Sequence, residues 1–134
     1  MKLTSRSEYA LLALVYLARH EVDGYISVER IATAQDIPPK FLEQIVLALK
    51  RAHFLSSTKG QHGGYRLAKS ASQISLAEII RLFDGALAPT GSVSEYFYES
   101  TPIEKEPNLI KVFKDIRDYV SDKLETTTLT DILD

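Results

Sequence analysis

Pro38 and Pro39 constrain this chain more than any other feature. A proline disfavours helix in the residue before it and suits the first turn of a new helix. One helix must therefore end near Gln35-Asp36, and another must begin at Pro39 only a few residues later. Ser27 reads as the N-cap of the first, with Val28, Ile31 and Ala32 facing inward. In the second, Leu42, Ile45, Val46 and Leu49 fall at i, i+3, i+4 and i+7, one core-facing stripe. Lys40, Gln44, Leu47 and Arg51 lie on the opposite side, with Glu43 on the flank. Two short helices with so tight a joint have helix-turn-helix spacing.

A hairpin is predicted next. Leu55 to Lys59 and Tyr65 to Ala68 read as short strands, with Leu55, Tyr65 and Leu67 inward. The loop Gly60-Gln61-His62-Gly63-Gly64 permits positive φ and close approach of backbone to a partner. Lys59 at its base can reach a minor groove or a phosphate. A polar helix face followed by such a hairpin is the layout of a winged helix-turn-helix, and it points to DNA. His62 reads as a solvated loop histidine, because no second metal ligand is near it in sequence.

The rest of the chain builds a mainly α frame. A first helix is predicted over Leu3 to Glu21, with Thr4 and Ser5 as cap residues and Tyr9, Leu12, Ala13, Tyr16 and Leu17 as its stripe. Leu11, Leu14 and Val15 widen that stripe, Asp23-Gly24 ends the helix in a turn, and Tyr25-Ile26 reads as a short edge strand. Ser75 with Glu78 forms a capping box ahead of Leu76, Ile79, Ile80 and Phe83, and Asp84-Gly85 stops that helix. From Ala86 to Pro107 periodicity is lost among prolines, serines and acids, so a mobile loop is expected, with Tyr96-Phe97-Tyr98 as an apolar island. Pro107 begins a long helix to about Glu125. It carries one stripe of Leu109, Phe113, Ile116, Val120 and Leu124 and a second flank of Ile110, Val112 and Tyr119. One flank can pack on its own domain; two imply a second subunit. Thr128 with Asp131 starts a short final helix carrying Leu129, Ile132 and Leu133.

The expected fold is thus a winged helix-turn-helix domain over 1–84 (helix-turn-helix about 28–51, wing 55–68), a flexible loop over 85–106, and a dimerisation helix with a short C-terminal helix over 107–134. Charge agrees with this division. The net charge of −2 hides a split: ten Lys/Arg against six Asp/Glu up to Lys69, and six against twelve beyond it. The first half can approach phosphates; the second would be repelled by them.

Several classes are excluded or disfavoured. The chain has no cysteine, so disulfides, thiol catalysis and cysteine-ligated metal clusters are ruled out. Its histidines, His20, His53 and His62, have no ligand-like spacing, so no metal and no cofactor are expected. There is no nucleophile–base pattern and no phosphate loop, so it does not read as an enzyme. No apolar run reaches the roughly 18 residues that would cross a bilayer. The longest, Tyr9 to Ala18, is too short and lies too early for a signal peptide, so a cytoplasmic protein is expected.

With these elements in place, the sequence resembles the IscR/NsrR/CymR family of bacterial winged-helix regulators. The likeness is carried by Met1-Lys2-Leu3-Thr4-Ser5-Arg6-Ser7-Glu8-Tyr9-Ala10, Phe41-Leu42-Glu43-Gln44-Ile45, Leu55-Ser56-Ser57-Thr58-Lys59-Gly60 through Gly63-Gly64-Tyr65-Arg66-Leu67, Phe83-Asp84-Gly85 with Pro89, and Thr127-Thr128-Leu129. It implies a homodimer on a near-palindromic operator, with the third helix in the major groove, the wing in the minor groove and the long C-terminal helices crossing. Carried over by position, Glu43 and Gln44 face base edges, where Glu accepts from cytosine N4 and Gln pairs with adenine. Lys2, Ser5, Lys40 and Arg51 are candidate phosphate contacts. Lys59 and Gln61 belong to the wing. Lys59 stands where the family often has arginine, keeping the charge but losing the planar fork.

Cluster-bearing members place three cysteines in the loop before the long helix. This chain has none, and Glu8 alone cannot hold a cluster. The cluster-free members, CymR-like, are the nearer match, and a repressor is the expected role. A small molecule, a partner protein, or nothing at all are the candidates for its signal. The competing reading is a winged-helix protein–protein interaction module that no longer binds DNA, motivated by the acidic C-terminal half.

Overall fold

The computed structural model describes residues 1–133; Asp134, the last residue of the expected C-terminal unit, lies outside them. In chain order the regular elements are helices α1 (Ser5–Arg19), α2 (Val28–Gln35) and α3 (Pro39–Arg51), strands β1 (Leu55–Thr58) and β2 (Gly64–Leu67), and helices α4 (Leu76–Asp84), α5 (Pro107–Thr126) and α6 (Leu129–Ile132).

Helix α1 is the element on which α2, α3, α4, α6 and β2 all pack. Thr4 caps it, its side chain accepting from the Ser7 N–H at 3.3 Å. Its buried face is Ala10, Ala13, Leu14, Leu17 and Ala18. Three small alanines in that face let neighbouring helices come close. Leu12, expected inward, is instead 41% exposed. It lies two residues from both Ala10 and Leu14, about 200° around the helix from each, so it turns away from the face they form.

The joint after α2 has a specific backbone. Asp36 caps α2 in the left-handed region at φ 53°, and Ile37 drops into the core before Pro38. Asp is among the residues that tolerate this region best. Gln35 Nε2 donates to the Leu12 carbonyl at 2.9 Å, fixing the end of α2 on α1. Helix α3 then buries Leu42, Ile45, Val46 and Leu49. Full burial of each such side chain contributes about 1.5–3 kcal/mol.

Helix α4 starts with the expected capping box: Ser75 N–H donates to Glu78 Oε2 at 3.0 Å, and Glu78 N–H donates to Ser75 Oγ at 3.2 Å. Beyond it, 85–106 contains no α-helix, only two 3-10 turns at Gly91–Val93 and Pro102–Lys105. Leu87, Ala88 and Val93 turn inward. Glu99 N–H donates to the Gly91 carbonyl at 3.0 Å, and Arg117 Nη1 donates to the Val93 carbonyl at 3.0 Å. The island Tyr96-Phe97-Tyr98 stays exposed at the tip.

The end of the chain returns to the core. Leu76 N–H donates to the Thr127 carbonyl at 2.9 Å, and Leu129 N–H donates to the Ile74 carbonyl at 3.0 Å. Leu129 is fully buried in the same core as Leu14 and Leu42. Helix α5 is left outside that core. Among its described residues only Ser121 is buried.

Candidate nucleic-acid interface

The tight turn and the buried stripe of α3 determine which of its side chains face solvent. Lys40, Glu43, Gln44, Leu47, Lys50 and Arg51 are all exposed. Positions 40, 44, 47 and 51 recur at helical spacing and share one face. The helix has 13 residues, so this face runs for about 20 Å. Leu47, 40% exposed between Gln44 and Arg51, adds an apolar spot suited to a thymine methyl.

The wing continues from α3. Its strands pair antiparallel, Leu55 opposite Leu67 and Thr58 opposite Gly64. Ile26 adds a third edge: its N–H donates to the Tyr65 carbonyl at 2.9 Å, and Tyr65 N–H donates back at 2.8 Å. The short strand expected at Tyr25-Ile26 is therefore this single bridge. It explains part of the glycine content of the wing. A Cβ on Gly64 would lie 2.2 Å from the Ile26 carbonyl oxygen, and one on Gly63 2.5 Å from that of Thr58. The close approach read from these glycines is to the protein's own backbone. Gly60, at φ 102° with open space around it, serves the turn. Lys59, Gln61 and His62 are exposed around that turn.

The cations of α3 and the wing are free to meet a polyanion. Among the described residues, Lys40, Lys50, Arg51 and Lys59 enter no ion pair. Elsewhere Arg30 pairs with Asp23, Arg81 with Glu125 and Arg117 with Asp118. The hydrogen bond from Arg30 holds the Asp23 carboxyl below the usual carboxylate range. Arg66 is engaged differently, its guanidinium 4.4 Å from the centre of the Tyr25 ring.

The candidate residues fall into two groups. Lys40, Glu43, Gln44 and Arg51 lie on α3, and Lys59 and Gln61 on the wing that follows. Lys2 and Ser5 lie at the start of α1; Lys2 lines an apolar hollow with Ala88, Ile116 and Val120. That hollow joins a candidate DNA contact to two candidate interface residues of α5. All eight candidate DNA contacts are exposed.

Reading the sequence by segments missed Asp84. Its carboxylate accepts from Thr4 N–H at 3.2 Å, from Thr4 Oγ1, and from Ser7 Oγ at 2.6 Å. Asp84 stood out only as the helix stop with Gly85 at the end of α4 and as part of the Phe83-Asp84-Gly85 likeness. Its partners lie about 80 residues away, and no spacing rule connects them.

Comparison with known proteins gives one answer. The family model described as Rrf2, an iron-dependent transcriptional regulator, matches residues 3–134. A putative HTH-type transcriptional regulator of Mycobacterium tuberculosis is 34% identical over 133 residues, covering 98% of this chain and 81% of that protein. CymR of Bacillus subtilis is 30% identical over 132 residues, covering 98% and 89%. The solved structure of that CymR superposes with a TM-score of 0.79 over 98% of this chain and 95% of its own. A putative regulator from Listeria innocua, 32% identical, superposes with a TM-score of 0.82 over 98% and 85%. With a family model spanning nearly its whole length, and with a mainly α winged helix-turn-helix fold shared with regulators, this chain belongs to the Rrf2 family of DNA-binding transcriptional regulators.

Proposed function

We propose that the chain acts as a homodimeric repressor on a near-palindromic operator, with α3 of each copy in the major groove and the wing on the adjacent minor groove. The observation that carries this reading is the outer face of α3, whose cations have no ion-pair partner among the described residues. Unpaired cations on an exposed helix release counterions when they meet phosphate, and this supplies most non-specific affinity. Glu43 and Gln44 are the readers of base edges, and Lys40, Arg51, Lys2 and Ser5 hold phosphates. Lys59 and Gln61 serve the wing.

Dimerisation is supported by the apolar surface of α5, where Leu109, Val112, Ile116 and Tyr119 are exposed. A compact dimer over an operator blocks polymerase without further parts, so repression is the simplest output. The family description names iron, and the residues here do not fit a cluster. The chain has no cysteine, and the described residues hold no group of three His, Asp or Glu side chains able to bind a metal ion. A small molecule, a partner protein, or nothing at all remain the candidates for the signal.

The test is binding to random-sequence duplex DNA over a salt series. Affinity falling steeply with salt is the expected result. No binding even at low salt would favour a module that has lost DNA, and would end this reading.

A further inference from the structure

We infer that Asp84, at the end of α4, is the positioning residue for the N-terminal phosphate contacts of this protein, linking the segment after α4 to the DNA-facing start of α1. The inference rests on the proposed roles of Lys2 and Ser5. The geometry is direct. Asp84 accepts from the Thr4 backbone at 3.2 Å, from the Thr4 hydroxyl, and from Ser7 Oγ at 2.6 Å. Ser7 is fully buried, and of the two acceptors within reach of its hydroxyl, the Thr4 carbonyl at 3.0 Å and Asp84 at 2.6 Å, the carboxylate is the nearer. Arg6 adds a second tie, its guanidinium 5.5 Å from the centre of the Phe83 ring. Both residues at the end of α4 therefore grip the first turn of α1.

Thr4 lies between Lys2 and Ser5. Its amide is one of the donors at the helix start that has no partner inside α1. With that amide and its hydroxyl both held by Asp84, the backbone at Thr4 has one orientation, and Ser5, the first residue of α1, inherits it. Lys2 is two residues upstream and shares a hollow with Ala88 and Pro89 in the segment that leaves α4, where the Met1 amine donates to the Ala88 carbonyl at 3.3 Å. A shift of 84–89 would carry both candidate phosphate contacts with it, while α3 and the wing, held by Leu42, Leu49 and the Ile26 bridge, would stay in place.

The sign of the effect separates positioning from charge. Asp84 is itself negative, so a simple Coulomb argument predicts tighter DNA binding when the charge is removed. Positioning predicts the opposite. The probe is a duplex selected from a random pool by the wild-type chain, titrated at several salt concentrations. Asp84→Ala is expected to bind roughly tenfold more weakly, the loss that goes with hydrogen bonds to a charged group. Its salt slope should be shallower by about one or more, as phosphate contacts are lost. In a double-mutant cycle with Lys2→Ala/Ser5→Ala the effects should be strongly non-additive, because Asp84 acts through those residues. Asp84→Asn, which removes the charge but keeps one carbonyl acceptor, should fall between.

Equal or tighter binding by Asp84→Ala, or a loss additive with Lys2→Ala/Ser5→Ala at unchanged slope, would overturn the inference. If Asp84→Ala does not fold by circular dichroism, Ser7→Ala removes one of the same bonds and is judged by the same slope and cycle. A wild-type chain that binds no duplex would instead count against the proposed function.

Discussion

Helices α3 and α5 are both amphipathic and both leave one side open, yet the open sides differ in chemistry. Helix α3 buries four large aliphatic residues and turns Lys40, Glu43, Gln44 and Arg51 outward. Helix α5, seven residues longer at 20, buries only Ser121 and exposes Leu109 at 46%, Val112 at 52%, Ile116 at 43% and Tyr119 at 76%. A charged face costs nothing in water and gains when it meets an opposite charge. An apolar face gains when it is covered by another apolar surface. In the proposed function, the first face meets a polyanion and the second another apolar surface.

The sharpest way to break this contrast is a charge on α5. Ile116→Asp should break the proposed dimer, raising its dissociation constant by a factor of about 100 or more, because burying an unpaired carboxylate costs several kcal/mol. The monomer should still fold, since Ile116 is already 43% exposed in the single chain. Light scattering after size-exclusion chromatography measures the mass, and a variant of native dimer mass would remove α5 from the interface. Phe113, half-buried, is the less clean choice, because its replacement by Asp also disturbs the subunit itself.

On the α3 side the largest effect should come from its support. Gly64→Ala places a Cβ 2.2 Å from the Ile26 carbonyl oxygen, so the wing must part from Ile26. A loss of roughly 2–4 kcal/mol in stability is expected, in the range of backbone strain plus a broken bridge. Chemical denaturation measures it; an unchanged midpoint would mean that the bridge at Ile26 contributes little.

Smaller effects belong to single contacts. Gln44→Ala should cost about 1–3 kcal/mol at one base pair and relax preference there. Selection of bound sequences from a random pool reads this, and an unchanged preferred sequence would show that Gln44 does not read bases. Lys59→Ala should weaken all duplexes alike and reduce the salt slope by about one. A slope equal to that of the wild type would take Lys59 off the phosphates.

Local patterns made much of this legible before any coordinates. Pro38-Pro39 placed the joint and the start of α3. The i, i+3, i+4, i+7 stripe chose its buried face, and Ser75 with Glu78 marked the start of α4. Each of these signals acts over a turn or two of chain, through sterics or a capping hydrogen bond, and survives any packing arrangement. The same periodicity put Lys40, Gln44 and Arg51 on the open face of α3, whereas the contact roles of Lys2, Ser5 and Glu43 came from the family resemblance and those of Lys59 and Gln61 from the glycine-rich hairpin.

What remained hidden depends on which distant segments meet. Leu12 looked like core because helix α1 is apolar on nearly every side. Only the placement of α2, α3, α4 and α6 around it decides which leucine is left outside. The glycines of the wing looked available to a partner until Ile26 was seen to pair there. Asp84 looked like a helix stop until Thr4 and Ser7 came within hydrogen-bond distance across about 80 residues. Sequence alone determined where helices start and stop and, for α3, which side is buried, because those choices are settled within a few residues. Tertiary structure decided which polar groups hold one another, because a hydrogen bond requires two groups within about 3 Å and only the folded chain sets that distance.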